Sequence, residues 1–127
     1  MRFLSQEWVE AADAAIRAAV ASAPDVSLTI DQHIDGVVAY RVVVDRTAPS
    51  VTLIDDGAAS PKDRADAVFR QDATTALAIA RGETDAHQSF LLGDLEFEGD
   101  IDVLIARRQA FAWLADVLAP VMSETEL

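Results

Sequence analysis

The sequence contains no cysteine, few basic residues and no long apolar run. Without cysteine there can be no disulfide, thiol nucleophile or thiolate metal site, and this fits a reducing compartment, so we expect a cytoplasmic protein. No segment reaches the roughly 18 consecutive apolar residues that a membrane-spanning helix needs. No long apolar run follows Arg2 either, so the N terminus does not resemble a secretory signal.

Basic residues are outnumbered: 10 Lys and Arg stand against 22 Asp and Glu, for a formal net charge of −12. A negative field of this size repels nucleic-acid phosphate, and no basic patch offsets it. It also disfavours lasting adsorption to anionic membrane surfaces. We therefore expect no nucleic-acid partner and no stable membrane association.

The residue types of common active sites do not occur in recognisable patterns. No serine lies in a G-x-S-x-G elbow and no glycine-rich loop is present to cradle phosphate. His33 and His87 lack acidic or histidine partners at metal-ligand spacing. The acidic run from Asp94 to Glu98 resembles the start of a calcium loop, but Ile105 stands where that loop needs a bidentate Glu. We expect no catalytic residue, no metal and no cofactor.

About half of the residues are apolar, and their spacing predicts helices and strands along the whole chain. We assign these elements to one domain covering residues 1–127. Ser5 is predicted to cap a first helix running to about Ser22, with Pro24 ending it. Residues 55 to 64 are predicted to form a loop. The predicted strands are Asp25–Gln32, Val37–Asp45, Val51–Ile54, Ala65–Gln71 and Leu95–Phe97. Asp72 and Gly82 are predicted to bound a second helix, and Thr84 to cap a short third one that ends at Leu91.

The first two strands are predicted to form a hairpin in which even-numbered residues face one side. A three-residue loop, Ile34-Asp35-Gly36, pairs even positions with even ones, so that Ile30 faces Tyr40 and Leu28 faces Val42. Gly36 would then end the loop, where a turn followed by a bulge needs a left-handed residue.

The stretch from Leu92 to Leu118 organises the rest of the chain. Asp100, after Gly99, is predicted to cap a helix that continues to Leu118 and is closed by Pro120. This helix is apolar around most of its circumference, more than one core contact requires. More core, a partner protein or a ligand must therefore cover the remainder.

The order of these elements resembles a single domain of the sterol carrier protein type 2 family. The resemblance is carried by the leading helix near Trp8, the Ala65-Asp66-Ala67-Val68 strand, the helix between Asp72 and Gly82, and the stretch from Leu92 to Asp100. It implies an α+β fold with a five-stranded, mostly antiparallel sheet packed against helices. It also implies a hydrophobic tunnel that binds fatty acyl chains, acyl-CoA or sterols without catalysis. The acidity of this chain disfavours acyl-CoA, which carries phosphates.

From the apolar pattern and the resemblance together, we expect a non-catalytic carrier whose partner is an apolar small molecule, namely a lipid, fatty acid or sterol. The ligand would lie between the strands of Phe69 and Phe97 and the last helix. The predicted ligand-binding residues are Phe69, Leu77, Phe90, Leu95, Phe97, Leu104, Phe111 and Leu114. Two alternatives stay open: a protein-interaction module using the apolar face of the C-terminal helix, and an auxiliary subunit of a lipid- or steroid-metabolising enzyme. The pattern leaves monomer and weak dimer undecided.

Overall fold

Five strands form the centre of the protein. The computed structural model describes residues 2–54 and 65–126. The strands are β1 (Leu28–Ile34), β2 (Val38–Val44), β3 (Ser50–Leu53), β4 (Ala67–Gln71) and β5 (Leu95–Gly99). They form one sheet in the order β3-β2-β1-β4-β5. Among the described residues β1 and β4 pair in parallel, and the other three strand pairs are antiparallel. The predicted α+β architecture with a five-stranded, mostly antiparallel sheet is therefore confirmed.

The helices precede the sheet, connect some of its strands and follow it. They are α1 (Gln6–Ala18), a 3-10 turn (Val20–Ser22), α2 (Ala73–Ala80), α3 (Ala86–Leu91), α4 (Ile101–Ala106) and α5 (Arg108–Ser123). The Ser5 side chain accepts a hydrogen bond from the backbone N–H of Trp8 and caps α1 as predicted. The helical path ends near Ser22 as expected, but its last turn is 3-10. The cap of α3 is Asp85 rather than the predicted Thr84, because the Asp85 carboxylate accepts from the N–H of Gln88. The predicted loop of residues 55 to 64 lies outside the described residues.

The core lies between one face of the sheet and the two longest helices. On β1 the side chains of Leu28, Ile30 and Ile34 point to this face and are buried. Helix α1 packs on β3 and against α5, and its Ile16 is completely buried. The apolar side chains that alternate along the strands and those at helical spacing on α1 therefore pack into one cluster.

The first hairpin keeps the predicted parity but has a different register. Even residues pair with even ones, yet Ile30 lies opposite Val42 and Leu28 opposite Val44. The predicted register, with Ile30 opposite Tyr40, was therefore wrong by two residues. Ile34 belongs to the strand, and its C=O accepts from the N–H of Val37 to close the turn. Gly36, with φ +70°, takes the third position of that four-residue turn, the position that needs a positive φ in a type II turn.

Gly36→Ala is expected to lower the free energy of unfolding by about 1 kcal/mol, because a Cβ is strained at positive φ. No heavy atom lies within 4 Å of the position that this Cβ would take, so the backbone conformation alone causes the loss. Gly36→Asn is the control, since asparagine tolerates the left-handed region better. Urea denaturation of both variants checks the prediction, and equal losses would contradict it.

The last helix is divided, which corrects the prediction of one helix from Ile101 to Leu118. Arg107 leaves the helical conformation, with φ −111° and ψ 25°, and its guanidinium lies 3.2 Å from the carboxylate of Asp66. Pro120 does not close the helix either, because α5 continues to Ser123. Because proline lacks a backbone N–H, the helix loses one backbone hydrogen bond at Pro120, about one turn before its end. The Ser123 hydroxyl donates to the Pro120 carbonyl at 2.7 Å.

Candidate functional site

A tight turn between α3 and β5 sets the geometry of the candidate site. Gly93, with φ +83°, donates to the C=O of Phe90, and the N–H of Asp94 donates to the C=O of Ser89. These two bonds form a Schellman motif, in which glycine is favoured because it adopts a left-handed conformation at little cost. The chain therefore reverses at once, and α3 packs on the strand that follows it.

Three phenylalanines come together as a result. Phe69 and Phe97 are directly opposite each other on β4 and β5, and their ring centroids are 5.4 Å apart. Phe90 of α3 meets Phe97 edge to face at 6.5 Å. Such ring pairs stabilise by about 0.5–1.5 kcal/mol beyond their buried area. The Phe90 side chain nevertheless stays 44% exposed, so the ring cluster is open on the α3 side.

A cavity of about 440 Å³, partly open to solvent, lies beside these rings at the β5 edge of the sheet. Its volume falls in the range of about 300–1,000 Å³ that is typical of small-molecule sites. It is lined by Val68, Arg70, Phe90, Gly93, Leu95, Glu96, Phe97 and Glu98. Aromatic and aliphatic side chains thus meet a rim of charged ones.

The charged rim is net negative. Arg70 is paired across the ladder with Glu96, and its guanidinium lies 3.5 Å from the carboxylate of Glu98. Both partners of that ion pair are exposed, at 46% and 72%, so the pair contributes little to stability. Two carboxylates around one cation leave no unbalanced positive charge for an anionic ligand.

The predicted ligand-binding residues divide between the cavity and the core. Phe90, Leu95 and Phe97 line the cavity. Phe69 does not line it; its ring contacts that of Phe97 and packs against the core. Leu114 of α5 belongs to the buried core, and Leu104 and Phe111 pack against that core. Leu77 is half-buried on α2. The structure therefore brings Phe90, Leu95 and Phe97 together at the cavity, whereas Phe69 and the members on α4 and α5 pack with the core.

Sequence reasoning missed the polar part of the lining. Arg70, Glu96 and Glu98 alternate with apolar residues along β4 and β5, a pattern that indicates a solvated strand face. They are solvated, and they also form the rim, because β5 is an edge strand. Gly93 carried a usable signal, since a glycine directly after a short helix predicts the reversal that places α3 on β5.

Some of the large apolar side chains of the C-terminal region lie on the surface. Ile101 and Ile105, one turn apart on α4, are 54% and 59% exposed, and Leu91 and Leu92 are 69% and 68% exposed. Within residues 2–54 and 65–126, no group of three or more His, Asp or Glu side chains is placed to hold a metal ion. In those same ranges no helix has both the length and the hydropathy that crossing a bilayer requires.

Most of the chain matches a known protein family in sequence. Residues 22–112 match the sequence model of the SCP-2 sterol transfer family. No sequence among the curated proteins matches significantly.

Solved structures of similar fold cover most of the chain. A conserved protein from Thermus thermophilus, described as a possible sterol carrier protein, is 21% identical with a TM-score of 0.63, over 95% of this chain and 90% of that one. A sterol carrier protein 2 crystal structure is 20% identical with a TM-score of 0.61, over 91% and 96%. Palmitated SCP2L2 from Aedes aegypti is 19% identical with a TM-score of 0.55, over 85% and 93%. At these identities the likeness shows the fold alone.

The same fold also occurs inside a much larger protein. A variant of the sec-alkyl sulfatase PisA1 is 17% identical with a TM-score of 0.51, over 64% of this chain. The match spans only 12% of the sulfatase chain.

Proposed function

The chain belongs to the SCP-2 sterol transfer family, and from this premise we propose that it binds and carries an uncharged apolar ligand in the cavity beside β5. Family membership supports a role in lipid binding or transfer. The observation that carries the specific proposal is the cavity of about 440 Å³ walled by Phe90, Leu95 and Phe97. These side chains can shield a hydrocarbon body from water, and the open rim gives it access.

Partition from water supplies the binding energy. Burial of apolar area is worth about 25 cal/mol per Å², so a ligand that buries roughly 500 Å² gains about 12 kcal/mol. Association costs at least about 4 kcal/mol, which leaves at most about 8 kcal/mol and sets micromolar affinity as the upper limit. An acyl chain or a sterol has this much apolar surface. The palmitated state of SCP2L2 supports acyl chains as one class to test.

Carriage without catalysis is proposed because of the chemistry of the lining. Its described residues include no serine, cysteine, histidine or lysine. Its two carboxylates, Glu96 and Glu98, are exposed to solvent and lie beside Arg70. Arg70 is already engaged by Glu98. The arrangement can enclose and release a ligand, which is what a carrier requires.

Native mass spectrometry of the purified protein, with analysis of the extracted lipids, tests the proposal. A bound apolar mass is expected, and so is micromolar binding of added methyl laurate. A chain that binds no apolar probe at about ten micromolar protein, the scale of the affinity above, would contradict the carrier role. A stable dimer or a co-purified protein in its place would support the interaction module instead.

Glu98→Gln is expected to strengthen binding of the laurate anion about threefold. The variant removes one of the two carboxylates beside Arg70, so a ligand carboxylate can take the place of Glu98, and exposed ion pairs are individually weak. Binding of methyl laurate, which has the same chain without the charge, should change less than about twofold. Fluorescence displacement titrations at about pH 8 measure both ligands. The difference should shrink as salt is added.

The matched control is Glu10→Gln, which removes the same charge at a distance. Glu10 is exposed on α1, and α1 packs on β3, the opposite edge of the sheet from β5. If Glu10→Gln strengthens laurate binding as much as Glu98→Gln does, net charge and not the rim controls selectivity. That result would contradict the proposal that the ligand binds in this cavity.

A further inference from the structure

Two glutamines lie on the apolar face of the sheet, next to the cavity. Gln71 is only 8% exposed, and its amide N–H donates to the carbonyl oxygen of Gln32 at 2.8 Å. Gln71 lies directly opposite Leu95, which lines the cavity. Burying primary amides costs free energy that an apolar pair of the same size would not. The single bond between them leaves further amide hydrogens able to donate.

Two further residues with polar groups, Tyr40 and Trp8, lie next to this pair on the side of the first helix. Gln32 lies directly opposite Tyr40 on β2, which places their Cβ atoms about 5 Å apart. The Tyr40 ring meets the indole of Trp8 edge to face, with centroids 5.7 Å apart. Gln71, Gln32, Tyr40 and Trp8 are therefore successive neighbours across this side of the sheet, and Gln71 is the member next to a residue that lines the cavity. We call this set the polar row.

Trp8 is the member with an unused donor. Its side chain is 4% exposed, and its Nε1–H has no hydrogen-bond acceptor among the described residues. A buried donor left unpaired is costly, and such groups are rare in folded proteins. Trp113, the second tryptophan of the chain, is 9% exposed and donates to the Ser22 hydroxyl at 3.0 Å. The indole N–H of Trp113 therefore has a hydrogen-bond acceptor, whereas that of Trp8 has none among the described residues.

We propose that Trp8 and the Gln32–Gln71 pair bind the oxygen of a neutral oxygenated lipid while its hydrocarbon body extends toward the β5 cavity. A hydroxyl or carbonyl oxygen can accept from the Trp8 indole and from the glutamine amides. The row contains no charged side chain. Burial raises the pKa of Tyr40 well above its ordinary value, so its hydroxyl is neutral at physiological pH. The row therefore favours neutral oxygenated lipids over hydrocarbons and over lipid anions. This inference rests on the proposed carrier function.

Displacement of the neutral dye Nile red by dodecan-1-ol and by n-tridecane tests the inference, because the two molecules have the same number of heavy atoms and differ in one oxygen. Trp8→Phe removes the indole donor and keeps an aromatic ring. It should weaken dodecan-1-ol about tenfold, the value of one good hydrogen bond to a buried donor. Binding of n-tridecane should change less than about twofold. A parallel titration with cholesterol distinguishes a sterol from a straight-chain alcohol, and the same Trp8 dependence is expected for whichever binds.

Two further variants keep the test decisive. Gln71→Met removes the amide at similar length and should show the same selective loss if Trp8→Phe folds poorly. Trp113→Phe is the matched control and should leave the alcohol-to-alkane ratio unchanged. It also leaves Trp8 as the single tryptophan, whose emission should shift to the red when dodecan-1-ol binds but not when n-tridecane binds.

The outcomes separate the two proposals. Equal losses for the alcohol and the alkane, or no loss for either, would overturn the polar row as an oxygen site while leaving the carrier function intact. If the wild-type protein binds neither molecule, the carrier function fails, and the inference fails with it.

Discussion

Gly99→Ala is expected to lower the free energy of unfolding by about 3 kcal/mol or more, because strain and steric overlap add at this position. The residue has φ +139°, a conformation that side-chain-bearing residues rarely adopt. A Cβ there would lie 2.5 Å from the backbone oxygen of Asp66 and 3.3 Å from the Phe97 ring. Because the nearest atom belongs to backbone, the strand must move to accept the methyl group.

The displacement would reach the ligand cavity. Gly99 pairs with Ala67 at the end of the β4–β5 ladder, and Phe97, two residues away, carries the central ring of the cluster. Any population that remains folded should therefore bind Nile red more weakly than wild type. Urea denaturation gives the stability, and titration at low temperature gives the binding.

Gly82→Ala separates the effect of backbone conformation from that of the overlap. Gly82 also has a positive φ, +75°, but no heavy atom lies within 4 Å of the position that its Cβ would take. The substitution should cost only about 1 kcal/mol. If the two alanine variants lose equal stability, the close approach of Asp66 to β5 does not hold in solution.

The local sequence pattern was sufficient to predict those helices and strands that are determined by residues close together in sequence. Alternation along β1 and β2 decides which side chains face the core, and the predicted parity is confirmed. Parity does not decide between registers that differ by two residues, because both bury the same face. The turn around Gly36 makes that choice through backbone bonds, including one from Asp35 to the Gln71 carbonyl. Such a long-range contact has no signature in the alternation.

The division of the last helix has the same kind of cause. Apolar spacing continues from Ile101 past Arg107 with neither glycine nor proline at the break, so local reasoning predicts one helix. Arg107 reaches Asp66, whose carboxylate also accepts from the backbone N–H of Thr29. An interaction between segments far apart in sequence therefore accompanies the break.

The candidate site was predictable as far as its apolar members. Phe90, Leu95 and Phe97 stand out because large apolar residues cluster in that stretch, whereas their grouping around one cavity depends on the reversal at Gly93. Leu104, Phe111 and Leu114 share the same apolar signal, but they serve the core. Hydrophobicity alone does not distinguish a side chain that packs against protein from one that lines a cavity.

Phe97→Trp is expected to weaken binding of methyl laurate by about a hundredfold, because the larger ring would occupy part of the cavity. If it displaces roughly 100 Å² of ligand contact, the loss is about 2.5 kcal/mol. Stability should change little, since Phe97 is only half-buried and borders open volume. Thermal melting and displacement titration measure the two quantities on the same samples.

Leu114→Trp is the counterpart in the packed core. Leu114 is 8% exposed and lies in the main apolar cluster, so the larger ring should cost about 1–3 kcal/mol through overpacking. The remaining folded protein should bind methyl laurate nearly as wild type does. The opposite result, with Leu114→Trp stable but unable to bind and Phe97→Trp still binding, would move the ligand to the space between the sheet and α5. That is where the sequence pattern placed it, so this pair of variants decides between the edge cavity and an interior one.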